Sequence, residues 1–573
     1  MNTLQKYEKY FYFIILIGVV IYFPIFFNGF VWDDFPFIIN NPQVHQVNLA
    51  ILFGNNLFNT GPFYRPIPAV YFAVLYTLSG KAAFFYHLLQ LFLHCIGTFL
   101  LFIFFCAFFS DYIAFFLALV FLVHPINIES VAYIGSTQSE LYFIPGISAL
   151  LLAKQEKLSN RKFYLTIFFL LLSIFTKEVG FLFLFLAIVY RALFKLGAMR
   201  KFFLYSGIIV LFYAVMRVFY GGVTYSTNNT VTIVNVPLFV RMLNRPSIIV
   251  YYLHIFFFPV NLLIWQTWVV KSISFSNFIF PLLLSSIFFG CIALTGYLLL
   301  QKRDTNHKNN KTLFKTFLFF FIWYIAGMGM LLQIVPLDMT VADRWFYFPI
   351  VGLLGMIGIM LTAWLPSFKT YKTIYLVFAS IILFLLASRT FVRTFDYKDD
   401  MTLQSHDIRA GNDNYYLLNE YGTELFEANK INEGCKYIKK AASLGQDAAI
   451  MNELGDCFQE EQQYDDAISA YEKAIQLHRS YDDSPLPIYL NLAQTFILND
   501  QPQEAISLIK NSALPQFPNN AKLLQLLSNA QAQINFNGNN FQFVGTPNSQ
   551  GSQNNQTTTV NSQLYHDLSS PML

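Results

Sequence analysis

Charge is scarce in this sequence. Only 12% of its 573 residues are Asp, Glu, Lys or Arg, against 55% hydrophobic, and the mean hydropathy is +0.46. A soluble domain carries about a quarter charged residues, so the chain as a whole is not an ordinary soluble protein. Cysteine is also scarce: Cys95, Cys106, Cys291, Cys435 and Cys457 show no metal-ligand spacing, and the first three lie in apolar runs as packing residues. A net charge of +4 is too small to point to nucleic acid, and the Lys and Arg residues come in short clusters that read as topology signals. Aromatics, by contrast, abound. The 65 Phe and 34 Tyr read as lipid-facing bulk and AT-rich coding rather than a binding surface.

The apolar excess ends near residue 392, which marks the main domain boundary. Before it, a span needs about 20 mostly apolar residues. Eleven stretches qualify, several of them short: 10–27, 85–107, 112–133, 138–153, 162–176, 179–195, 201–219, 277–300, 313–335, 344–364 and 372–391. The first is expected to be a retained span rather than a cleaved signal peptide, because no small-residue cleavage site follows it. Threading the eleven in order puts Lys6/Lys9, Lys154/Lys157/Arg161/Lys162, Arg191/Lys195/Arg200/Lys201, Lys302/Arg303/Lys308/Lys311 and Lys369/Lys372 all on the inner side. Counting 246–265 as another crossing would break that pattern, so it reads as re-entrant or interfacial, broken near Pro259. Arg65–Leu78, with Pro66 and Pro68, reads as a helix lying in the interface.

The same threading leaves the remaining polar groups on the outer side. They are Asp33/Asp34, His124 and Glu129, Lys177/Glu178, Asp338 and Asp343/Arg344. Ionisable groups at membrane depth cost roughly 2.5–3.5 kcal/mol each, so they mark sites or pair with one another. A common outer cavity is the expectation.

Residues 393–534 change to amphipathic helix pairs. Tyr421-Gly422, Leu425, Gly434, Ile438 and Ala441 are echoed 33 residues later by Leu454-Gly455, Phe458, Ala467, Tyr471 and Ala474. A third copy, Leu492-Ala493, Phe496, Ala505 and Ile509, follows an insertion around Arg479–Pro487, and a capping helix is expected near 519–534. This resembles tetratricopeptide repeats, whose period is about 34 residues and whose stacked helices hold a peptide or serve as scaffold. Residues 535–573, rich in Asn, Gln, Ser and Thr, are expected to be disordered.

Asp33 and Asp34 stand just outside the first span, where adjacent carboxylates can act as a general base, a metal ligand or a helix cap. They sit in Phe30–Pro42 (FVWDDFPFIINNP), and this run resembles the opening of the transmembrane-and-tetratricopeptide O-mannosyltransferases. Further stretches match in the same order. They are Tyr64-Arg65-Pro66-Ile67, Tyr86-His87-Leu88 through His94, and His124 to Ala132 with Gln138-Ser139-Glu140-Leu141. Thr176-Lys177-Glu178-Val179-Gly180 and Asp343-Arg344-Trp345-Phe346-Tyr347-Phe348-Pro349 complete the set. Gln138-Ser139 departs from the polar residue usual before that acid, Ile350 replaces the usual Ser after the late proline, and 220–276 matches only loosely.

The resemblance implies an all-α fold: a polytopic bundle of the C-type glycosyltransferase kind in residues 1–392, followed by the repeat solenoid. It implies an enzyme moving a sugar from a polyprenyl-phosphate donor to an acceptor hydroxyl, with inversion, on the extracytoplasmic face. Asp33 or Asp34 would be the base, Asp33 preferred as the first acid after the span. Arg344, Lys177 and Arg65 would grip the leaving phosphate. Glu129, Glu178 and Asp343 would orient those cations or bind sugar hydroxyls, and His124 would join them only weakly, since a His-Pro at a span's end more often shapes the chain. No metal is expected. Although two carboxylates beside a phosphate can hold a divalent ion, no dedicated spacing is present. The expected partners are a lipid-linked sugar donor, membrane lipids and an acceptor protein held by the repeats, with no nucleic acid. The expected location is a bacterial cytoplasmic membrane with the repeats extracytoplasmic. The competing readings are an envelope polysaccharide ligase or polymerase, which would favour a large basic late loop, and a transporter or membrane-anchored scaffold. Transporters typically carry matching inverted halves, and the sequence shows no internal hydropathy symmetry of that kind.

Overall fold

The computed structural model describes residues 3–54, 64–221, 233–301, 307–365, 368–478 and 484–541. It is built of helices, and its described residues contain no strand beyond one isolated bridge between Gln266 and Val341. The chain forms two compact units, Met1–Gln446 and Asp447–Leu573.

The first unit begins with α1 (Thr3–Tyr22), α2 (Leu49–Gly54), α3 (Pro66–Ser79) and α4 (Ala83–Phe105). Next come α5 (Asp111–Val123), α6 (Ile128–Ala132), α7 (Gln138–Ala153), α8 (Asn160–Thr176), α9 (Gly180–Leu193), α10 (Met199–Met216) and α11 (Leu238–Phe257). The unit closes with α12 (Phe280–Gln301), α13 (His307–Leu331), α14 (Pro349–Trp364), α15 (Phe368–Thr394), α16 (Asp400–Arg409), α17 (Tyr415–Glu427) and α18 (Ile431–Leu444). Among the described residues, six segments are long and apolar enough to cross a membrane: Lys6–Phe27, Ala83–Phe105, Met199–Tyr220, Phe275–Gln301, Lys311–Leu331 and Thr370–Tyr397. A seventh arises if α5 and the bent stretch Pro125–Ala132 form one span. The protein is therefore a multi-pass membrane protein.

All eleven expected stretches are helical, but fewer pass the length test. α7, α8, α9 and α14 run only 14–17 residues. Polar turns cut them short, and those turns carry the chemistry described below. The ambiguous segment starts earlier than its apolar run suggested, as the 20-residue α11 with Pro246 inside it. It stops at Phe257, ahead of Pro259, because a residue before proline is pushed out of the helical region.

The core explains where the aromatics go. Phe104, Phe105, Phe108, Phe109, Phe319, Phe320 and Trp323 pack edge to face and offset across α4, its following turn and α13. Such pairs add about 0.5–1.5 kcal/mol beyond area burial. Close approach here depends on glycine: a Cβ on Gly352 or Gly355 of α14 would collide with α13 at Tyr324 and Phe320. A smaller cluster of Ile38, Val44, Leu52, Phe72, Tyr86 and Ile134 buries the inward side of α2 and α3. The interface helix expected over Arg65–Leu78 is thus α3, packed onto protein on one side.

Composition put the boundary at 392, whereas the compact unit runs on to Gln446. The reason is a polar clasp at the C-terminal end of the last span and just after it. Arg393, 1% exposed, pairs with Asp396 at 2.9 Å and Asp407 at 3.5 Å, and Asp407 accepts from the Ile264 amide at 2.8 Å. Asn412 donates to the Trp265 carbonyl at 2.7 Å, and the Gly29 amide to the Lys398 carbonyl at 2.9 Å. α16 is tied in this way to the loops of the membrane body. α17 and α18 pair closely because Gly422 and Gly434 leave no room for side chains at their crossing.

The second unit contains α19 (Ala448–Glu460), α20 (Tyr464–Leu477), α21 (Leu486–Leu498), α22 (Pro502–Leu508) and α23 (Ala521–Phe541). Its pairs follow the expected repeat: Gly455 meets the Tyr471 ring, and Ala467, Ala470, Ala474 and Leu492 are buried between helices. The expected capping helix is α23, and it extends through residues 535–541, which the sequence assigned to a disordered tail. Residues 542–573 of that tail lie outside the described residues, as do Lys302, Arg303 and residues 479–483 of the expected insertion.

Candidate active site

Asp33 and Asp34 part company in the fold. Asp34 is fully buried and accepts hydrogen bonds from the Val31 amide at 2.9 Å and the Gly135 amide at 2.6 Å. Burial pushes its carboxyl well above the usual range despite those two bonds. Its oxygens tie the loop after α1 to the turn before α7, which is a structural task. Asp33 is half-buried and accepts one hydrogen bond, from the Tyr133 hydroxyl at 3.1 Å. Burial raises its pKa to about 6, with the nearby Arg344 charge and the Tyr133 bond opposing the rise.

The loop that carries them is wound into an uncommon shape. Trp32 has φ +54°, in the left-handed region that bulky residues avoid. It is held there by Asp400, which accepts from its amide at 2.6 Å, and by its ring, which packs against Tyr133 and Trp265 at 5.4 Å each. The Arg344 guanidinium lies over the Trp32 ring at 5.1 Å and near Tyr133 at 5.9 Å.

Arg344 is fixed by Glu129. The guanidinium Nη1 donates to Glu129 Oε1, and the Arg344 amide donates to Oε2 at 2.8 Å. Glu129, 1% exposed, sits on α6, which exists because the chain turns by 51° after α5. His124 makes that turn. Its Nδ1 accepts from the Ile126 amide at 3.2 Å and its Nε2 meets the Phe256 carbonyl at 2.9 Å, with the two rings stacked. Both ring nitrogens are committed to backbone, so His124 shapes the site without reaching it. Asp343 likewise points elsewhere, accepting from the Tyr251 hydroxyl at 2.6 Å.

A second cluster lies at the turn between α8 and α9. Glu178 Oε2 accepts from Arg65 Nε and Nη2 at 3.1 and 2.7 Å, and its Oε1 pairs with Arg217 at 3.4 Å. Arg65 Nη1 also donates to Gln138 at 2.9 Å. Burial alone would raise Glu178, but Arg65 and then Arg217 hold it below the ordinary range. Lys177 beside it rests over the Tyr142 ring at 5.9 Å. Its pKa is lowered to about 7, by burial first and then by the Arg65 and Arg344 charges, with Glu178 and Asp338 opposing them. The two clusters therefore share one electrostatic field: Lys177 responds to Arg344, and Arg344 responds to Asp33 and Asp338.

Of the residues expected from sequence, Asp33, Arg344, Glu129, Lys177, Glu178 and Arg65 fall in this field. Three further participants, Tyr133, Arg217 and Asp400, are not among them. Arg217 has a legible signal, a lone charge in an apolar run. Among the described residues no group of three or more His, Cys, Asp or Glu side chains is arranged to hold a metal.

Comparison with known proteins agrees with the ordered motifs. The chain is 24% identical over 426 residues to a protein O-mannosyl-transferase of Caenorhabditis elegans, covering 68% of this chain and 56% of that relative. It is 30% identical over 182 residues to human protein O-mannosyl-transferase TMTC3, covering 29% and 20%. It is 34% identical over 116 residues to mouse protein O-mannosyl-transferase TMTC1, covering 18% and 12%. Residues 446–511 match the tetratricopeptide repeat family. This chain resembles the transmembrane and tetratricopeptide-repeat O-mannosyltransferases. It spans about half the length of the nematode relative and a smaller share of the mammalian ones. No solved structure matches it.

Proposed function

We propose that the protein is a membrane glycosyltransferase that moves a sugar from a polyprenyl-phosphate donor to a hydroxyl of an acceptor protein, with inversion, on the outer face of a bacterial cytoplasmic membrane. The observation that carries the reading is the pairing of one accessible carboxylate with a field of fixed cations. Asp33 is within hydrogen-bond reach of Tyr133 and within the field of Arg344. The carboxylate accepts the acceptor's proton as its oxygen attacks the anomeric carbon. The glycosidic bond to phosphate breaks on the opposite face, and negative charge grows on the phosphate oxygens. Arg344, held by Glu129, and Lys177, protonated below about pH 7, stabilise that charge without reorganising. Arg65 and Arg217 set the position of Glu178 and so the charge balance around Lys177. These fixed cations can meet the charge on the phosphate, and the reading needs no metal.

The proposed orientation puts the basic clusters inside and the turns bearing Asp33, Glu129, Lys177 and Arg344 outside. The repeats would then present the acceptor from the outer side. The test is reconstitution of the purified full chain in liposomes with polyprenyl-phosphate mannose and an outer-envelope protein extract. Labelled mannose should appear on protein with wild type and not with Asp33→Asn. Absence of transfer by well-folded wild type with mannose, glucose and N-acetylglucosamine donors would sink the assignment.

A further inference from the structure

Trp32 links the two groups on which the proposed chemistry depends. Its backbone immediately precedes Asp33, and the Arg344 guanidinium lies over its indole at 5.1 Å. The same indole packs at 5.4 Å on Tyr133, whose hydroxyl donates to Asp33 and whose ring lies 5.9 Å from Arg344. Moving Trp32 therefore moves the carboxylate and the cation relative to each other. Yet Trp32 stands at φ +54°, which a bulky residue keeps only where its surroundings over-determine it.

The deciding contact comes from far along the chain. Asp400 Oδ1 accepts from the Trp32 amide at 2.6 Å, across 368 positions of sequence. Two plainer accounts of Asp400 do not fit. As the first residue of α16 it could serve its own helix, but the cap there is Asp399, which accepts from the Thr402 amide at 2.8 Å. It could dock the loop after α1 as a whole, but that loop is already tied at two other points. Asn28 donates to the Thr394 carbonyl and the Gly29 amide to the Lys398 carbonyl, each at 2.9 Å. Among the described residues of that loop Trp32 alone has a positive φ, and it is there that Asp400 binds. A charged acceptor makes a bond roughly twice as strong as a neutral one, which suits a backbone that would otherwise relax.

We infer that Asp400 is a positioning residue of the transfer reaction, which by holding the Trp32 amide fixes Asp33 and Arg344 in register. The inference rests on the proposed glycosyl transfer and adds to it a group from beyond the last span. α16 is a firm support for this task, because Asp407 ties it to Arg393 at 3.5 Å and to the Ile264 amide at 2.8 Å. Without the Asp400 bond, Trp32 moves toward an ordinary backbone conformation. Its indole then turns from Arg344, and Asp33 shifts from the acceptor hydroxyl. A displacement of about 1 Å at a reacting group costs about 10²-fold in rate.

The test compares Asp400→Ala and Asp400→Asn with wild type in the full chain reconstituted in liposomes, well below the unfolding midpoint. Transfer is read as kcat, and the loop is read separately as hydrogen–deuterium exchange of the peptide carrying the Trp32 amide. Asp400→Ala should speed that exchange and lower kcat by about 10²-fold. Asp400→Asn keeps an oxygen acceptor but not its charge, and should fall between the two on both readings. If the alanine variant does not fold, Asp400→Asn decides alone. Faster exchange with slower transfer supports the inference, and wild-type values of both overturn it. Wild-type kcat in Asp400→Ala despite faster exchange would overturn the positioning role and leave the proposed reaction standing, and wild-type exchange in that variant would overturn it as well. Wild type that transfers no sugar, while exchange at Trp32 still depends on Asp400, would sink the proposed reaction. The positioning role would fall with it, leaving Asp400 as a holder of the loop.

Discussion

Glu129 holds Arg344 at two points, one carboxylate oxygen on the guanidinium and the other on the backbone amide of the same residue. This double grip fixes both where the side chain starts and where it ends. It also explains why a carboxylate on a short helix after a sharp bend is kept buried at 1% exposure. Removing one member of a buried pair leaves the other charge unsatisfied, at a cost of about 3–5 kcal/mol. Glu129→Gln should therefore lower the thermal midpoint of the purified protein and reduce transfer. Arg344→Lys should keep the backbone half of that grip and most of the stability while replacing the planar guanidinium with a point charge, so that it is distinguished by kcat at saturating donor. Equal stability of Glu129→Gln and wild type would contradict the geometry.

The adjacent acids should separate cleanly. Asp33→Asn removes the base and should reduce kcat by about 10²–10⁴-fold, with little change in the unfolding midpoint. Asp34→Asn keeps one acceptor oxygen and sets an amide donor against a backbone N–H, which costs about 1–3 kcal/mol of stability. The check is a paired measurement of midpoint and transfer on both variants. If Asp33→Asn is the destabilised one and Asp34→Asn the inactive one, the roles are reversed.

Much of this architecture is legible in the amino-acid sequence, and the parts that are not share a cause. The alternation of apolar runs and charged turns locates the long helices of the membrane body, because burial in lipid forces backbone pairing within the helix. The glycine and alanine positions of the repeats are the helix crossings, where a Cβ at Gly422 or Gly455 would collide. Asp33 and Arg344 stand out as charges at the ends of apolar stretches. Tyr133 does not, because one tyrosine among 34 carries no signal until the fold brings its hydroxyl to 3.1 Å from Asp33. The boundary at 392 follows composition, but Asp407 and Asn412 reach back to Ile264 and Trp265 through hydrogen bonds that leave no periodic trace.

Glu178 tests whether the second cluster matters to the first. It faces Arg65 on one oxygen and Arg217 on the other, beside Lys177. Neutralising it as Glu178→Gln leaves two arginines uncompensated next to a lysine whose pKa is already lowered to about 7. The Lys177 proton should then be held more weakly still. At pH 7 the variant should show weaker donor binding, seen as a raised KM for donor, and lowering the pH should restore part of it. A KM that does not respond to pH would show that Lys177 is not the group affected.

The two shifted groups set a pH window. Asp33 must be ionised to accept a proton, and with its pKa raised to about 6 it becomes competent as pH rises through that value. Lys177 must be protonated to stabilise phosphate, and with its pKa lowered to about 7 it loses that charge as pH rises further. The profile of kcat/KM, which reports the free enzyme, should therefore be bell-shaped with its maximum between about pH 6 and 7. Bound donor phosphate adds negative charge beside Lys177 and raises its pKa, so the alkaline limb of kcat should lie at higher pH than that of kcat/KM. Lys177→Arg, which cannot lose its proton in this range, should abolish the alkaline limb and leave the acid limb in place. Retention of the alkaline limb in that variant would assign it to another group, and loss of the acid limb in any active Asp33 variant would tie that limb to Asp33.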